Sequence, residues 1–111
     1  MMDYKQKDLV IVNLYPKKGD EVGKIRPCII ISDTMDNREL ETLIVMPLST
    51  KCIADVYPYR VRLTKRENLY KESDVLINQL RTVSKKRVIE YISCITDHEY
   101  KQIKDALCQL I

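Results

Sequence analysis

The chain has 111 residues, of which 45% are hydrophobic and 32% charged, and its formal net charge is +3 at neutral pH. This length fits a single domain over 1–111 that can bury a core without disulfide or metal staples. The charge is too mild to indicate a nucleic-acid-binding protein by itself. No apolar run approaches the roughly 20 residues of a membrane span, so the composition excludes a helical membrane protein.

The amino terminus and the cysteines indicate where the protein works. The opening residues MMDYKQKD lack the apolar segment of a signal peptide. The four cysteines, Cys28, Cys52, Cys94 and Cys108, are far apart and none belongs to a CxxC pair, which favours reduced thiols over disulfides. We therefore expect a soluble, cytoplasmic protein.

Five apolar runs rich in β-branched residues are separated by polar turns, which predicts five short strands. The runs cover residues 9–15, 28–32, 42–49, 59–63 and 74–83. In the fourth run the apolar residues, beginning with Tyr59, alternate with Arg60 and Arg62. That strand is expected to have one buried face and one wet, basic face.

Two helices are predicted after the strands. Thr96 and Glu99 have capping-box spacing, and apolar residues follow at helical intervals up to Leu110. A shorter basic helix is predicted over 84–92, capped by Ser84. Because strands precede helices and do not alternate with them, we expect a mainly β fold. It would be a small, strongly bent antiparallel sheet or barrel with a C-terminal helix, and not a doubly wound parallel sheet.

The segment KKGDEVGKIRP at 17–27 contains both glycines of the chain, Gly19 and Gly23. Glycine serves where a backbone turns sharply or closely approaches another group. The segment also concentrates charge on Lys17, Lys18, Asp20, Glu21, Lys24 and Arg26. This density of charge predicts a ligand-binding loop, but the spacing differs from that of a nucleotide-binding P-loop.

Common catalytic arrangements are absent from the sequence. The single histidine, His98, excludes a two-histidine ribonuclease mechanism, and no Cys, His or carboxylate cluster has metal-ligand spacing, so no metal site is expected. The remaining candidates are Arg26, whose extended backbone Pro27 favours, and the hydroxyls of Ser49–Thr50. Glu21 is either a general base or an ion-pair partner, and the hydroxyl pair is either functional or an ordinary strand end.

Three segments resemble the MazF/PemK family of toxins from toxin–antitoxin systems, which are endoribonucleases that cut mRNA at short motifs. They are DLVIVNLYPKKGDE at 8–21, GKIRP at 23–27 before an aliphatic strand, and QLRTVSKKRV at 79–88. The resemblance covers nearly the whole chain in the same order. Lys24 and Asn78 depart from the usual family residues, which we expect to affect the preferred RNA sequence and not the reaction.

The resemblance implies roles for the matching residues. It assigns the catalytic arginine to Arg26 and the catalytic hydroxyl to Ser49, with Thr50 as the alternative, and it matches the loop glutamate to Glu21. The implied reaction uses no metal and no cofactor: the 2′-hydroxyl of RNA attacks the adjacent phosphorus and a 5′-hydroxyl is released. The residues expected to bind RNA are Lys18, Gly19, Gly23, Lys24, Gln79 and Arg81. Further phosphate contacts are expected from Lys17, Arg60 and Arg62, whereas Tyr15, Tyr57 and Tyr59 either stack on bases or belong to the core.

The resemblance also implies an SH3-like barrel of the CcdB/PemK type that forms a homodimer with a groove for single-stranded RNA. The expected partner is an antitoxin whose acidic, disordered segment folds into that groove. Two alternatives have the same fold: a gyrase-inhibiting toxin of the CcdB type and a nucleic-acid-binding module without catalysis. The CcdB type relies on a C-terminal tryptophan motif, and this chain contains no Trp.

Overall fold

A computed structural model describes residues 3–111 of the chain. Within this range the elements are β1 (Asp8–Asn13), β2 (Ile25–Ile30), α1 (Thr34–Glu39), β3 (Thr42–Ser49), β4 (Arg60–Leu63), β5 (Ser73–Leu76), β6 (Arg81–Ser84), β7 (Val88–Cys94) and α2 (Asp97–Cys108). No helix of this range is both long and apolar enough to cross a membrane.

The strands form one antiparallel seven-stranded sheet in the order β4-β5-β3-β2-β1-β7, with β6 also paired to β3. The first half of β3 pairs with β6, whereas Leu48 and Ser49 at its end pair with β5. The outer strands β4 and β7 do not pair with each other, so hydrogen bonds do not close the sheet into a complete barrel. The prediction of a mainly β fold with a bent antiparallel sheet and a C-terminal helix is confirmed.

Both faces of the central strands are buried, which explains why their sequences lack alternation. One core cluster includes residues of α2 and so lies between the sheet and that helix; it contains Leu9, Ile29, Met46, Leu48, Leu63, Ile77 and Ile103. Because successive strand residues point to opposite faces, their neighbours form a second cluster: Val10, Val12, Leu14, Cys28, Ile30, Leu43, Val45 and Val83. Each face of the sheet therefore packs against its own apolar layer.

The predicted strand over 74–83 is interrupted. A 3₁₀ turn at Ile77–Gln79 separates β5 from β6, and the backbone N–H of Ile77 donates to the carbonyl of Tyr59 at 3.0 Å. The turn allows β5 and β6 to follow different parts of the bent strand β3. The run over 74–83 contains no Gly or Pro that would mark such a break.

The predicted helix over 84–92 is wrong. Ser84 does cap a helical segment, since its hydroxyl accepts the Lys86 N–H at 3.2 Å, but this segment is a single 3₁₀ turn at Lys85–Arg87. The chain then continues as β7, antiparallel to β1. The β-branched and aromatic residues of this stretch favour a strand, and pairing with β1 outweighs the weak helical periodicity.

Helix α1, which the strand pattern did not predict, connects β2 to β3. Asp33 caps it by accepting the Met35 N–H at 2.8 Å. Asn37 is 1% exposed and donates to the carbonyls of Tyr4 and Ser32. A six-residue helix is too short for an apolar period to be read from sequence, and only its Asp33 cap was a usable signal.

The C-terminal helix α2 confirms its predicted capping box. Thr96 accepts the Glu99 N–H at 3.1 Å, and the Glu99 carboxylate accepts the Thr96 N–H at 2.9 Å. Glu99 also binds Arg66 through two hydrogen bonds of 2.6 Å. The Arg66 hydrogen bond lowers the pKa of Glu99 to about 2, despite an opposing effect of burial.

Replacing Glu99 with Gln tests this bridge. Since the folded-state pKa of about 2 lies below the ordinary value of 4.5, the bridge stabilises the fold at higher pH, and its contribution is lost as the pH falls from about 4.5 towards 2. We expect Glu99→Gln to lower the free energy of unfolding by about 2 kcal/mol at neutral pH, while Gln retains the capping box. Urea denaturation at neutral pH and near pH 3 measures the effect; a difference between the two proteins that does not shrink in acid would contradict it.

Candidate active site

The Arg26 side chain connects the β1–β2 loop to the end of β3. Its Nε donates to the carbonyl of Gly23 at 2.9 Å, and its Nη1 donates to the carbonyl of Leu48 at 3.2 Å. A guanidinium has five N–H donors, so these two bonds fix its position and leave three donors. Arg26 lines a cavity of about 400 Å³ between the two segments.

Ser49 and Thr50 line the same cavity, as do Lys24 and Lys51. Strand register explains the approach: Cys28 and Pro47 are the last pair of β2 and β3, and Arg26 and Ser49 each lie two residues beyond it on their strands. The Ser49 hydroxyl oxygen accepts the Lys51 N–H at 3.2 Å, which leaves its proton free to donate. The structure thus brings together the predicted arginine and both candidate hydroxyls.

Lys51 was missed by the sequence analysis. The eight residues around the Arg26 cavity include two lysines, Lys24 and Lys51, and no acidic residue. The cavity therefore has a positive potential suited to a phosphate group. A cation directly after a hydroxyl pair at a strand end was the available signal.

Glu21 is not brought together with Arg26. It lines two other cavities, in both of which Lys18 and Arg81 are its neighbours. Its backbone N–H donates to the Lys18 carbonyl at 3.0 Å, which makes a tight turn. In this arrangement the carboxylate faces a different cleft from the arginine and the hydroxyls.

The two glycines of the β1–β2 loop serve different purposes. Gly19 has a φ of +57° with open space around it, so it provides the left-handed backbone of a turn. At Gly23 a Cβ atom would lie 2.8 Å from the Cβ of Lys17, so this glycine permits a close approach within the loop. Lys24 also has a positive φ, of 74°, and the loop thereby delivers the Gly23 carbonyl to Arg26.

The Gln79 side chain holds the β1–β2 loop through hydrogen bonds to its backbone. Its Oε1 accepts the Val22 N–H at 3.2 Å and an Nη2 hydrogen of Arg81 at 3.0 Å, and its Nε2 donates to the Asp20 carbonyl at 3.4 Å. Gln79, Lys18 and Arg81 line a cleft of about 440 Å³. The predicted RNA-binding residues thus fall into two groups, with Lys24 beside Arg26 and Lys18, Gln79 and Arg81 in this second cleft.

Arg60 and Arg62, which were predicted as further phosphate contacts, are held by a buried carboxylate. Both bind Asp74, which is 1% exposed: Arg62 Nε lies 2.5 Å from Oδ1, and Arg60 Nη1 lies 3.3 Å from Oδ2. The hydrogen bond to Asp74 raises the pKa of Arg62. An Asp in the strand after an alternating Arg pair was the sequence signal for this cluster.

The three tyrosines singled out from the sequence lie at the surface. Tyr15, Tyr57 and Tyr59 are 53%, 56% and 54% exposed, so they do not belong to the core. Tyr59 directly precedes β4 and does not continue its buried face. All three rings therefore remain available to stack on a ligand.

Comparisons with known proteins identify the family of this small, mainly β protein. Residues 5–111 match the model of the PemK-like, MazF-like toxins of type II toxin–antitoxin systems. The endoribonuclease MazF of Staphylococcus saprophyticus is 31% identical over 101 residues, which are 90% of this chain and 84% of that protein. The chain belongs to the PemK/MazF toxin family.

Solved structures of related toxins have the same fold. A crystal structure of MazF from Deinococcus radiodurans gives a TM-score of 0.85 at 22% identity, covering 99% of this chain and 97% of that one. A mycobacterial endoribonuclease in complex with its cognate antitoxin gives 0.74 at 18% identity, covering 98% and 93%. At these identities the likeness concerns the fold.

Proposed function

We propose that this protein is the toxin of a type II toxin–antitoxin system and acts as a sequence-specific endoribonuclease on single-stranded mRNA. The observation that carries the proposal is the presence of Arg26, Ser49 and Thr50 in one cavity with two lysines and no acid. Membership of the toxin family supports it, as does the endoribonuclease activity named for the staphylococcal relative.

The cavity suits transesterification of an RNA phosphodiester. The ribose 2′-oxygen forms a bond to the adjacent phosphorus while the bond from phosphorus to the 5′-oxygen breaks. The 2′-hydroxyl loses its proton to a base and the 5′-oxygen gains one, leaving a cyclic phosphate and a 5′-hydroxyl. The three remaining Arg26 donors stabilise the charge that builds up on the phosphorane oxygens.

The other groups of the cavity complete this chemistry. Ser49 retains a hydroxyl proton that can be donated to a phosphate oxygen, and Thr50 is the alternative donor. Lys24 and Lys51 supply positive charge without a metal ion or cofactor. Glu21 can act as the base only if RNA binding moves the β1–β2 loop, because Glu21 lines a different cleft from Arg26.

The second cleft extends the RNA path beyond the cut. Lys18 and Arg81 offer phosphate contacts there, each adding about 0.7 to the salt slope for a single strand. Gln79, Gly19 and Gly23 act mainly through the loop that separates the two clefts. The half-exposed tyrosine rings add sequence-tolerant stacking.

An antitoxin is the proposed protein partner, since a structurally related toxin is solved in complex with its own. An acidic, disordered segment would occupy the basic Arg26 cavity and exclude RNA. We place this action in the cytoplasm, where mRNA is translated. Protection of RNA from cleavage by the co-expressed antitoxin would test the partnership.

Replacing Arg26 with Ala should reduce cleavage at least a hundredfold, because it removes donors to the transition state. The assay incubates a long mixed-sequence RNA with the protein in excess EDTA and maps the new ends, which should carry 5′-hydroxyls. Arg38→Ala, which removes an exposed arginine on α1, is the matched control and should cut at the wild-type rate. Wild-type cleavage by Arg26→Ala would refute the assigned role. Intact RNA with every protein would favour a non-catalytic, CcdB-like toxin.

Single alanine variants distinguish the catalytic roles of the Ser49 and Thr50 hydroxyls. We expect Ser49→Ala to lower kcat by roughly tenfold or more and Thr50→Ala to have the smaller effect, because Ser49 still belongs to β3 and directly follows Leu48, whose carbonyl binds Arg26. Single-turnover cleavage rates on one RNA of mapped cut site measure both. A larger loss in Thr50→Ala would transfer the role to Thr50.

We further propose a homodimer whose two subunits form the RNA groove. At micromolar concentration, sedimentation velocity should give a single species of twice the chain mass. The control is the same measurement across a dilution series, in which a specific dimer keeps one dissociation constant. A monomer throughout would remove the shared groove from the proposal.

A further inference from the structure

Asp74 is a buried carboxylate with no part in the chemistry proposed above. Its side chain is 1% exposed, and it accepts hydrogen bonds from Arg62, from Arg60 and from the backbone N–H of Ile53 at 2.9 Å. Burial by itself raises the pKa of Asp74, but the hydrogen bonds from Arg62, Ile53 and Arg60 outweigh it and lower the pKa. The carboxylate is therefore ionised at neutral pH.

The same cluster holds the segment that directly follows the candidate hydroxyls. Arg60 Nη1 donates to the Lys51 carbonyl at 2.9 Å, and Arg62 Nη2 donates to the Ile53 carbonyl at 3.3 Å. Together with the bond from the Ile53 N–H to Asp74, these contacts hold the backbone at both ends of residues 51–53. This backbone also carries the Lys51 N–H that binds the Ser49 hydroxyl.

Strand register places Asp74 directly beside the cavity. Ser49 of β3 pairs with Asp74 of β5, and Asp74 pairs with Arg62 of β4. Residues directly opposite each other in antiparallel strands share one face of the sheet. Since Arg26 of β2 binds the Leu48 carbonyl from the other edge of β3, a polar row of Arg26, Ser49, Asp74 and Arg62 crosses four neighbouring strands.

We propose that Asp74 is a positioning residue of the cleavage site: through Arg60, Arg62 and the Ile53 N–H it fixes the backbone of residues 51–53 and thereby holds the Ser49 and Thr50 hydroxyls in the Arg26 cavity. The inference rests on the proposed function. Stability alone gives little reason for this cluster, since burying a carboxylate with two arginines is often no better than apolar packing. Its backbone bonds to Lys51 and Ile53 give it a specific task.

The test is Asp74→Asn, which preserves side-chain shape and an acceptor for Ile53 but removes the charge that holds both arginines. We expect kcat to fall about ten- to a hundredfold, because a small displacement of a catalytic group has an effect of this size. Arg60 and Arg62 gain free positive charge, so KM for RNA should stay the same or fall. A generally loosened protein would instead show a higher KM.

Glu99→Gln is the matched control, because it breaks another partly buried Arg–carboxylate bridge, between Arg66 and Glu99, that does not contact residues 51–53. Both variants are assayed well below their melting temperatures with single-turnover and steady-state cleavage of one RNA. The control should lose stability and keep the wild-type kcat. Equal kcat values for Asp74→Asn and the control would overturn the proposal.

A second variant serves if Asp74→Asn does not fold. Arg60→Met keeps the apolar stem and the Arg62–Asp74 pair but removes the bond to the Lys51 carbonyl, and it should lower kcat about threefold or more with KM unchanged or raised only slightly. A wild-type kcat in Arg60→Met would likewise overturn the proposal. Failure of the proposed function is recognised separately, since the wild-type protein would then not cut RNA at all.

Discussion

The pairing of strand β3 along both of its edges is the constraint on which the candidate site depends. On one edge β3 pairs with β2, which carries Arg26, and on the other its last residues pair with β5, which carries Asp74. Consecutive residues of one strand thus serve different purposes. The Leu48 carbonyl accepts a hydrogen bond from Arg26, while Ser49 lines the cavity with Arg26 and pairs with Asp74. A register slip of one residue would turn Ser49 to the opposite face and separate all of these groups.

Local signals in the sequence predicted much of the fold. The Thr96–Glu99 capping box and the apolar runs of β1 to β3 are decided by neighbours close in sequence, and the structure contains them. The stretch 84–92 was misassigned because short apolar patterns suit either a helix or a strand, and only pairing with β1 decides between them. The break at Ile77–Gln79 likewise follows from the bend of β3, which no local pattern encodes.

The candidate site was predictable only in part, and not from local structural signals. Arg26, Ser49 and Thr50 came from motif resemblance and from elimination of other chemistry, and they share a cavity because the loop and strand ends converge. Asp74 could not be assigned this way, because its role depends on the register of three strands. In sequence it is an acid at the start of an apolar run; only pairing with Ser49 and Arg62 makes it part of the row.

Asp74 also changes how positive charge is distributed over this face. With Arg60 and Arg62 bound to a buried carboxylate, the cations that line the Arg26 cavity are Arg26, Lys24 and Lys51. Two further free arginines would bind RNA more tightly before and during reaction alike, and such uniform binding does not raise kcat. Used instead to fix the backbone after Ser49, the same guanidinium groups favour the geometry of the transition state. Asp74 therefore commits both arginines to positioning the site and not to binding RNA. This is why its replacement is expected to lower kcat without raising KM for RNA.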